Sequence, residues 1–420
     1  MGLYSATLKK KTKWLKKDVL KIEKEIGPGV ITGGADNDPA GIVTYTTAGA
    51  RFGYSLLWVL LLCTPFMIAV QETAARIALV QKKGLASIIK NHYGKKTALL
   101  VMSSLAVANI ATIGADIAGV AAVIGLVTGT NWLIYVIPVA ALVGYLVLFK
   151  KYRVIRKLLL ALTSLLIVYI ISSILARPDW FSVLQGFIPA HIPTVSFIIA
   201  IVGIIGTTIS PYMLFWQASD ELEEHKTILR PKDIEVDTAF GMLWSNIVAI
   251  FIIIAAASTL WVAGINIETV AQAAIALQPL AGQTAYILFA LGVIVSGFLS
   301  LPVLAGSTAY AVSETFGWRE GLNKKVFSAK GFYFTFMLSL IVGSFIVFLP
   351  VNPVHLLYYT QVLDGFLTPF LVTILLLLSN NKSVMGRYAN NRKKNALLTL
   401  FLCILVFLDI ILVSQLLGIF

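Results

Sequence analysis

Asp36, Asn37 and Asp38 stand together, followed by Pro39, in the middle of a run built otherwise of glycine, alanine, threonine and aliphatic side chains (residues 27–49, GPGVITGGADNDPAGIVTYTTAG). Hydrocarbon rejects two carboxylates and an amide, so such groups persist at membrane depth only against a cavity, a partner or an ion. Pro39 lacks the N–H that would bond back one turn and disfavours helix at the residue before it. The run reads as a membrane helix interrupted over Gly33 to Gly41, presenting carboxylate oxygens and unwound backbone at mid-membrane. A second interruption, Ser210-Pro211 in GIIGTTISPYMLFWQ (203–217), offers the hydroxyls of Thr207, Thr208 and Ser210. The chemistry implied is that of an ion or substrate site lined by oxygen.

Composition says what scaffold carries these groups. Of 420 residues 58% are hydrophobic and 13% charged, with a mean hydropathy of +0.87; soluble domains run at roughly 45–50% apolar. The net charge of +13 is no nucleic-acid footprint, because thirty of the 33 lysines and arginines sit in six short segments that flank apolar runs. Those segments are the N-terminal arm (Lys9 to Lys24), 82–96, 150–157, 226–232, 319–330 and 382–394, and the segments between them carry almost no basic residues. This alternation is the positive-inside pattern. Cys63 and Cys403 lie in apolar runs and form no CxxC motif. The first 24 residues are lysine-rich without an apolar core, which fits an arm on the anionic inner leaflet rather than a cleaved signal.

With about 20 apolar residues per crossing, eleven spans are expected. They lie near 26–49 (broken), 54–80, 98–126, 131–149, 157–176, 195–221 (broken), 238–264, 283–313, 331–350, 354–379 and 395–418. The N-terminus is then cytoplasmic and the C-terminus extracytoplasmic. The loops 177–194 and 264–282 read as short lids. Span 1 enters from inside and span 6, five crossings later, from outside, each with proline near its middle. Matching breaks in two five-helix halves point to an inverted-repeat transporter with its site where the breaks meet. The divisions are a cytoplasmic arm (1–25), a first repeat (26–176), a second repeat (195–379) and one extra span (395–418).

Particular residues carry a resemblance. Asp38-Pro39-Ala40-Gly41 stands where the NRAMP family of divalent-metal transporters has Asp-Pro-Gly-Asn, and Ser210-Pro211-Tyr212 where it has Met-Pro-His, with Thr207 in place of an alanine. Gln71 to Arg76 (QETAAR), Asp116 in ATIGADIAG and Gln361 in YTQVLDGFLTPF also match. The chain resembles this family along its whole length. The resemblance implies an all-α polytopic membrane protein with the LeuT-type inverted repeat (5+5 helices) plus a C-terminal helix, spans 1 and 6 being unwound. It implies a transporter rather than an enzyme, a divalent ion as cargo, no resident cofactor and the plasma (inner) membrane as location. The expected partners are that ion and the lipid bilayer, with no nucleic acid and no obligatory protein.

The departures are informative. Asp38 is kept, but the family amide is replaced by Gly41 and the thioether by Ser210. Its span-6 histidines become Tyr212 and Gln217, and two acidic positions of span 3 become Asn109 and Gly119. This set resembles the NRAMP-related magnesium transporters, which implies Mg2+ and Mn2+ as cargo without proton coupling; the alternative is a proton-coupled Mn2+/Fe2+ transporter. Residue chemistry points the same way, since a thioether helps select soft ions and its loss leaves oxygen alone. The expected ligand set is Asp38, the backbone at Ala40, Thr207, Ser210 and Gln361, with Asp364 one turn after Gln361 on the same helix face. Mg2+ is usually held by one or two carboxylates with several waters. His92, His191, His225 and His355 fall in loops or at span ends. Asp116 and Asp36 are the candidates for a proton or gating role. Glu72 and Arg76, four residues apart, are expected to pair, Tyr212 to pack with its hydroxyl tied down, and Asp409 to be structural.

Overall fold

In lipid each backbone N–H and C=O needs an internal partner, and a continuous helix supplies one. The computed structural model describes residues 27–150, 152–189, 194–223, 231–269, 272–273 and 283–417. The expected arm 1–25, the basic residues Lys226 and Arg230, His191 and His225 lie outside these, as does most of 270–282. Secondary structure among the described residues is helical. In chain order come α1 (Pro28–Ala35), α2 (Pro39–Phe52), α3 (Leu57–Gln81), α4 (Leu85–Thr128), α5 (Val136–Phe149), α6 (Tyr152–Leu165), α7 (Ile167–Leu175) and α8 (Trp180–Gln185). They are followed by α9 (Val195–Thr208), α10 (Pro211–Glu223), α11 (Pro231–Ala256), α12 (Gln283–Phe316), α13 (Lys330–Ile346), α14 (Pro353–Asn380) and, after a short turn of helix, α15 (Arg392–Leu416). Nine stretches among the described residues are long and apolar enough to cross a membrane. The shorter α13 and the pair α1–α2 stand at the two other expected positions.

The first break is narrower than the sequence implies. Only Asp36 to Asp38 are non-helical, whereas Gly33, Gly34, Ala40 and Gly41 belong to helices. Proline at N1 and an Asp cap start α2, and the glycines are used for close packing instead of unwinding. A Cβ on Gly33 would stand 2.1 Å from the Gly241 carbonyl oxygen, so α1 and α11 touch backbone to backbone. Gly29 and Gly33 form the small-xxx-small pattern that permits this approach. The Asp237 carboxylate of α11 accepts from Gly27 N (2.7 Å) and Gly29 N (2.8 Å), holding the start of α1. The second break is Ile209-Ser210, between α9 and α10.

Two segments read as loops are partly helical. The basic segment 82–96 is helix from Leu85, turning at Gly94 (φ +87°) into the rest of α4. The Glu314 carboxylate of α12 accepts from Ala86 N (2.8 Å) and Ser87 N (3.3 Å), supplying the acceptor that a helix start needs. The segment 177–189 contains α8, capped by Asp179 and joined to α3 by Trp58 N donating to Gly186 O (3.2 Å).

Glu72 and Arg76 pair as expected (2.8 Å), with Lys394 on the second carboxylate oxygen (2.9 Å). Arg76 also donates to the Tyr388 carbonyl and to Asn390 Oδ1 (2.5 Å), so the end of α3 is bound to the segment that leads into α15. Glu72→Ala leaves a guanidinium that is 5% exposed without its counter-ion, a loss of about 3–5 kcal/mol. The expected result is a clear fall in the melting temperature of the purified protein; an unchanged melt would show that this network braces nothing.

Candidate metal site

Asp38 caps α2, its Oδ1 accepting from Gly41 N at 2.5 Å. Capping uses one oxygen. The other, Oδ2, is fully buried and has no hydrogen-bond partner. On the second broken helix, Thr207 Oγ1 is likewise buried and unpartnered. The two breaks meet here: a Cβ on Gly41 would lie 2.4 Å from Thr207 Oγ1 and 3.0 Å from Asp38 Oδ1. Tyr212 donates to the Ala35 carbonyl (2.9 Å), linking the start of α10 to the end of α1 and taking the tied-down role expected of it.

The third wall is α14. Gly206 packs so tightly on it that a Cβ would stand 1.9 Å from Gln361 O and 2.4 Å from Gly365 N. Gln361 Oε1 and Nε2 are buried without partners, and so is Asp364 Oδ1, while Asp364 Oδ2 receives the Thr112 hydroxyl at 3.5 Å. Asp364 lies within electrostatic reach of Asp38. Buried polar groups ordinarily find partners. Four side chains with spare oxygen, on three spans that pack together at the breaks, therefore describe a place where a cation could be held.

One expected ligand, Ser210, and the two proton or gating candidates, Asp116 and Asp36, have hydrogen-bond partners. The Ser210 hydroxyl donates back to Gly206 O (2.7 Å) and Thr207 O (3.0 Å), as hydroxyls near helix ends do, so only its lone pairs face outward. Asp116 is fully engaged: Oδ1 accepts from Ala40 N (3.1 Å) and Oδ2 from Ser300 Oγ (2.6 Å). It ties α2, α4 and α12 together at the break, and the Ala40 N–H points to it. Asp36 is held by α11, its Oδ2 accepting from Ser245. Asn109 and Gln217, at positions of family acids and histidines, serve packing: Asn109 donates to Ser307 (2.8 Å) and Thr308 (2.9 Å), and Gln217 to Thr238 (2.7 Å). Thr112 is the contributor that sequence reading missed. It lies one turn before Asp116, and only the approach of α4 to α14 brings it to Asp364. Among the described residues no three His, Cys, Asp or Glu side chains converge as a metal cage.

Asp36, Asp38, Thr207, Ser210, Gln361 and Asp364 are at most 1% exposed, so the site is closed from both ends. Beyond it toward one end lies a cavity of about 530 Å³ bordered by Gly125, Trp132, Glu268 and Asn352. Toward the other, a cavity of about 180 Å³ is bordered by Ser219, Glu223, Glu314 and Glu320. Burial, with Glu314 and Glu223 beside it, pushes the Glu320 carboxyl up to about 9, so it keeps its proton at neutral pH.

Residues 29–415 match the Nramp family, described as natural resistance-associated macrophage protein-like. The chain belongs to the Nramp family. Among Nramp relatives, a divalent metal cation transporter MntH of Deinococcus radiodurans is 26% identical over 95% of this chain and 92% of its own. A natural resistance-associated macrophage protein 2 homolog of Dictyostelium discoideum is 27% identical over 89% of this chain and 60% of its own. The fold is that of a manganese transporter from Eremococcus coleocola (TM-score 0.73, 21% identity, 93% of this chain and 86% of that one). It is also shared with Mhp1, a nucleobase-cation-symport-1 family transporter captured in a closed conformation (TM-score 0.56, 17% identity, 88% and 80% covered). The expected all-α inverted-repeat architecture is therefore present, in a multi-pass membrane protein of a transporter family.

Proposed function

We propose that this Nramp protein carries divalent metal ions across the membrane by alternating access, with Mg2+ and Mn2+ as cargo. The observation that carries this reading is the set of buried, unpartnered oxygens on Asp38, Thr207, Gln361 and Asp364. Mg2+ takes oxygen ligands in octahedral geometry and surrenders water reluctantly, and the spare donor atoms of these side chains include a carboxylate oxygen on each of Asp38 and Asp364. Nothing in this donor set repels Mn2+, and the Deinococcus relative is a divalent metal cation transporter and the Eremococcus neighbour a manganese transporter. The inner membrane, a cytoplasmic N-terminus and the two five-span repeats belong to the same reading. The membrane potential favours uptake, since two charges moving inward at 100 mV gain about 4.6 kcal/mol.

Transport without proton coupling is part of the proposal. Asp116, the intramembrane acid expected to be the alternative proton carrier, is occupied as a structural acceptor, and His355 lies at the start of α14, away from the breaks. The second reading is a proton-coupled Mn2+/Fe2+ transporter, and the manganese transporter of the same fold favours its Mn2+ part. One experiment separates them: purified protein in liposomes, with Mg2+ and Mn2+ uptake and internal pH followed together. Absent Mg2+ flux defeats the magnesium reading, and acidification that tracks metal entry defeats the uncoupled one. In the same assay Asp364→Ala should slow Mg2+ more than Mn2+; equal loss or no loss removes the carboxylate from the hydrated ion.

A further inference from the structure

The other two polar residues of the first break, Asp36 and Asn37, have spare oxygens of their own. Asn37 Nδ2 donates to the Ser245 carbonyl (3.2 Å) and to Ser245 Oγ (2.8 Å). A carbonyl only accepts, so the amide orientation is settled and Asn37 Oδ1 points away from it. The Ser245 hydroxyl in turn donates to Asp36 Oδ2. Both side chains thus converge on one hydroxyl of α11, and each keeps a second oxygen one functional-group width away. Those two atoms, Asp36 Oδ1 and Asn37 Oδ1, have no partner, and both residues are 0% exposed. Ser296 of α12 fixes the backbone beside them by donating to Asn37 O (2.5 Å). Buried acceptors without a donor, one of them a carboxylate, call for a proton or a cation beside them.

We infer that Asp36, Asn37 and Ser245 form a second cation site on the α11 side of the break, suited to an alkali-metal ion. The charge count chooses the class. The site offers one carboxylate and otherwise neutral oxygen, so a monovalent ion leaves it neutral, whereas a divalent one leaves a net positive charge in a low-dielectric interior. The inference rests on the reading of Asp38 and Asp364 as the divalent side, which has two carboxylates for two charges. Since Asp36 and Asp38 flank the same unwound turn, an ion on one side orders the backbone that positions the other, and the two sites are coupled.

The test uses the full-length protein in detergent and in liposomes, with Na+, K+ and choline chlorides at matched ionic strength. An alkali ion should raise the melting temperature relative to choline in the absence of any divalent metal. It should also speed divalent uptake roughly fivefold or more. Asp36→Asn, or Ser245→Ala where that variant folds better, should lose the alkali-dependent melting shift. Equal melting in all three salts overturns the inference and leaves a bridging water as the occupant; a shift that survives both substitutions overturns it by placing the ion elsewhere. Because the melting readout contains no divalent ion, failure of the magnesium reading is separable from failure of this one.

Discussion

Asp38→Ala is expected to abolish divalent-ion flux in liposomes. The carboxylate has two oxygens in different states, one capping α2 and the other buried without a partner, and the proposed site gives that second oxygen to the ion. Losing the cap alone costs about 1 kcal/mol of stability. Losing an interaction of about 3 kcal/mol with a charged group weakens binding roughly 100-fold. Asp38→Asn separates the two jobs, because its amide oxygen still accepts from Gly41 N while the charge is gone. It should melt near the wild-type temperature and still fail to transport. An Asp38→Asn variant that carries metal at a normal rate would reduce Asp38 to a cap and remove the centre of the proposed site.

The second large effect concerns Gly41 and Thr207, which the resemblance treats as separate departures from the family pattern. In space they are one feature. A Cβ at residue 41 would stand 2.4 Å from Thr207 Oγ1, closer than side-chain carbons are found. Gly41→Asn alone, which restores the family amide, therefore drives a side chain into the hydroxyl or pushes α2 from α9. Overpacking of this kind costs about 1–3 kcal/mol of stability, and the displaced helix should lower flux. Adding Thr207→Ala removes the obstacle, and the double variant should regain transport that the single one lost. With Ser210→Met besides, a soft donor returns and preference should move toward Mn2+ or Cd2+ over Mg2+. Additive losses in the double-mutant cycle, with no recovery from Thr207→Ala, would show that residues 41 and 207 do not share the ion's space.

How far the sequence reaches can be judged at particular residues. The two proline breaks, the ion-pair spacing of Glu72 and Arg76, and the shared face of Gln361 and Asp364 follow from local rules. Proline removes a specific hydrogen bond wherever it stands, and a helix sets which residues share a face. The alternation of basic segments is equally local, and it supplies the expected orientation. Glycine is ambiguous in the same local terms, because it either loosens a backbone or lets another backbone approach. Gly33 and Gly34 therefore read as part of the unwinding, while in the fold α11 and Thr163 press against them.

By itself, then, the sequence determined that this is a membrane protein of paired broken helices with carboxylates at the break, and its order of motifs determined the family. Only the tertiary structure decided which oxygens remain free. Asp116 looks as available as Asp38 until Ala40 N and Ser300 are placed on its two oxygens. Asp36 and Asp38, two residues apart in the chain, have different partners because α11 holds one and α2's own backbone holds the other. Hydrogen-bond satisfaction depends on partners as distant as 259 residues along the chain, as between Ser296 and Asn37. No local pattern encodes whether such a partner arrives, and that is why the site's final membership had to come from the fold.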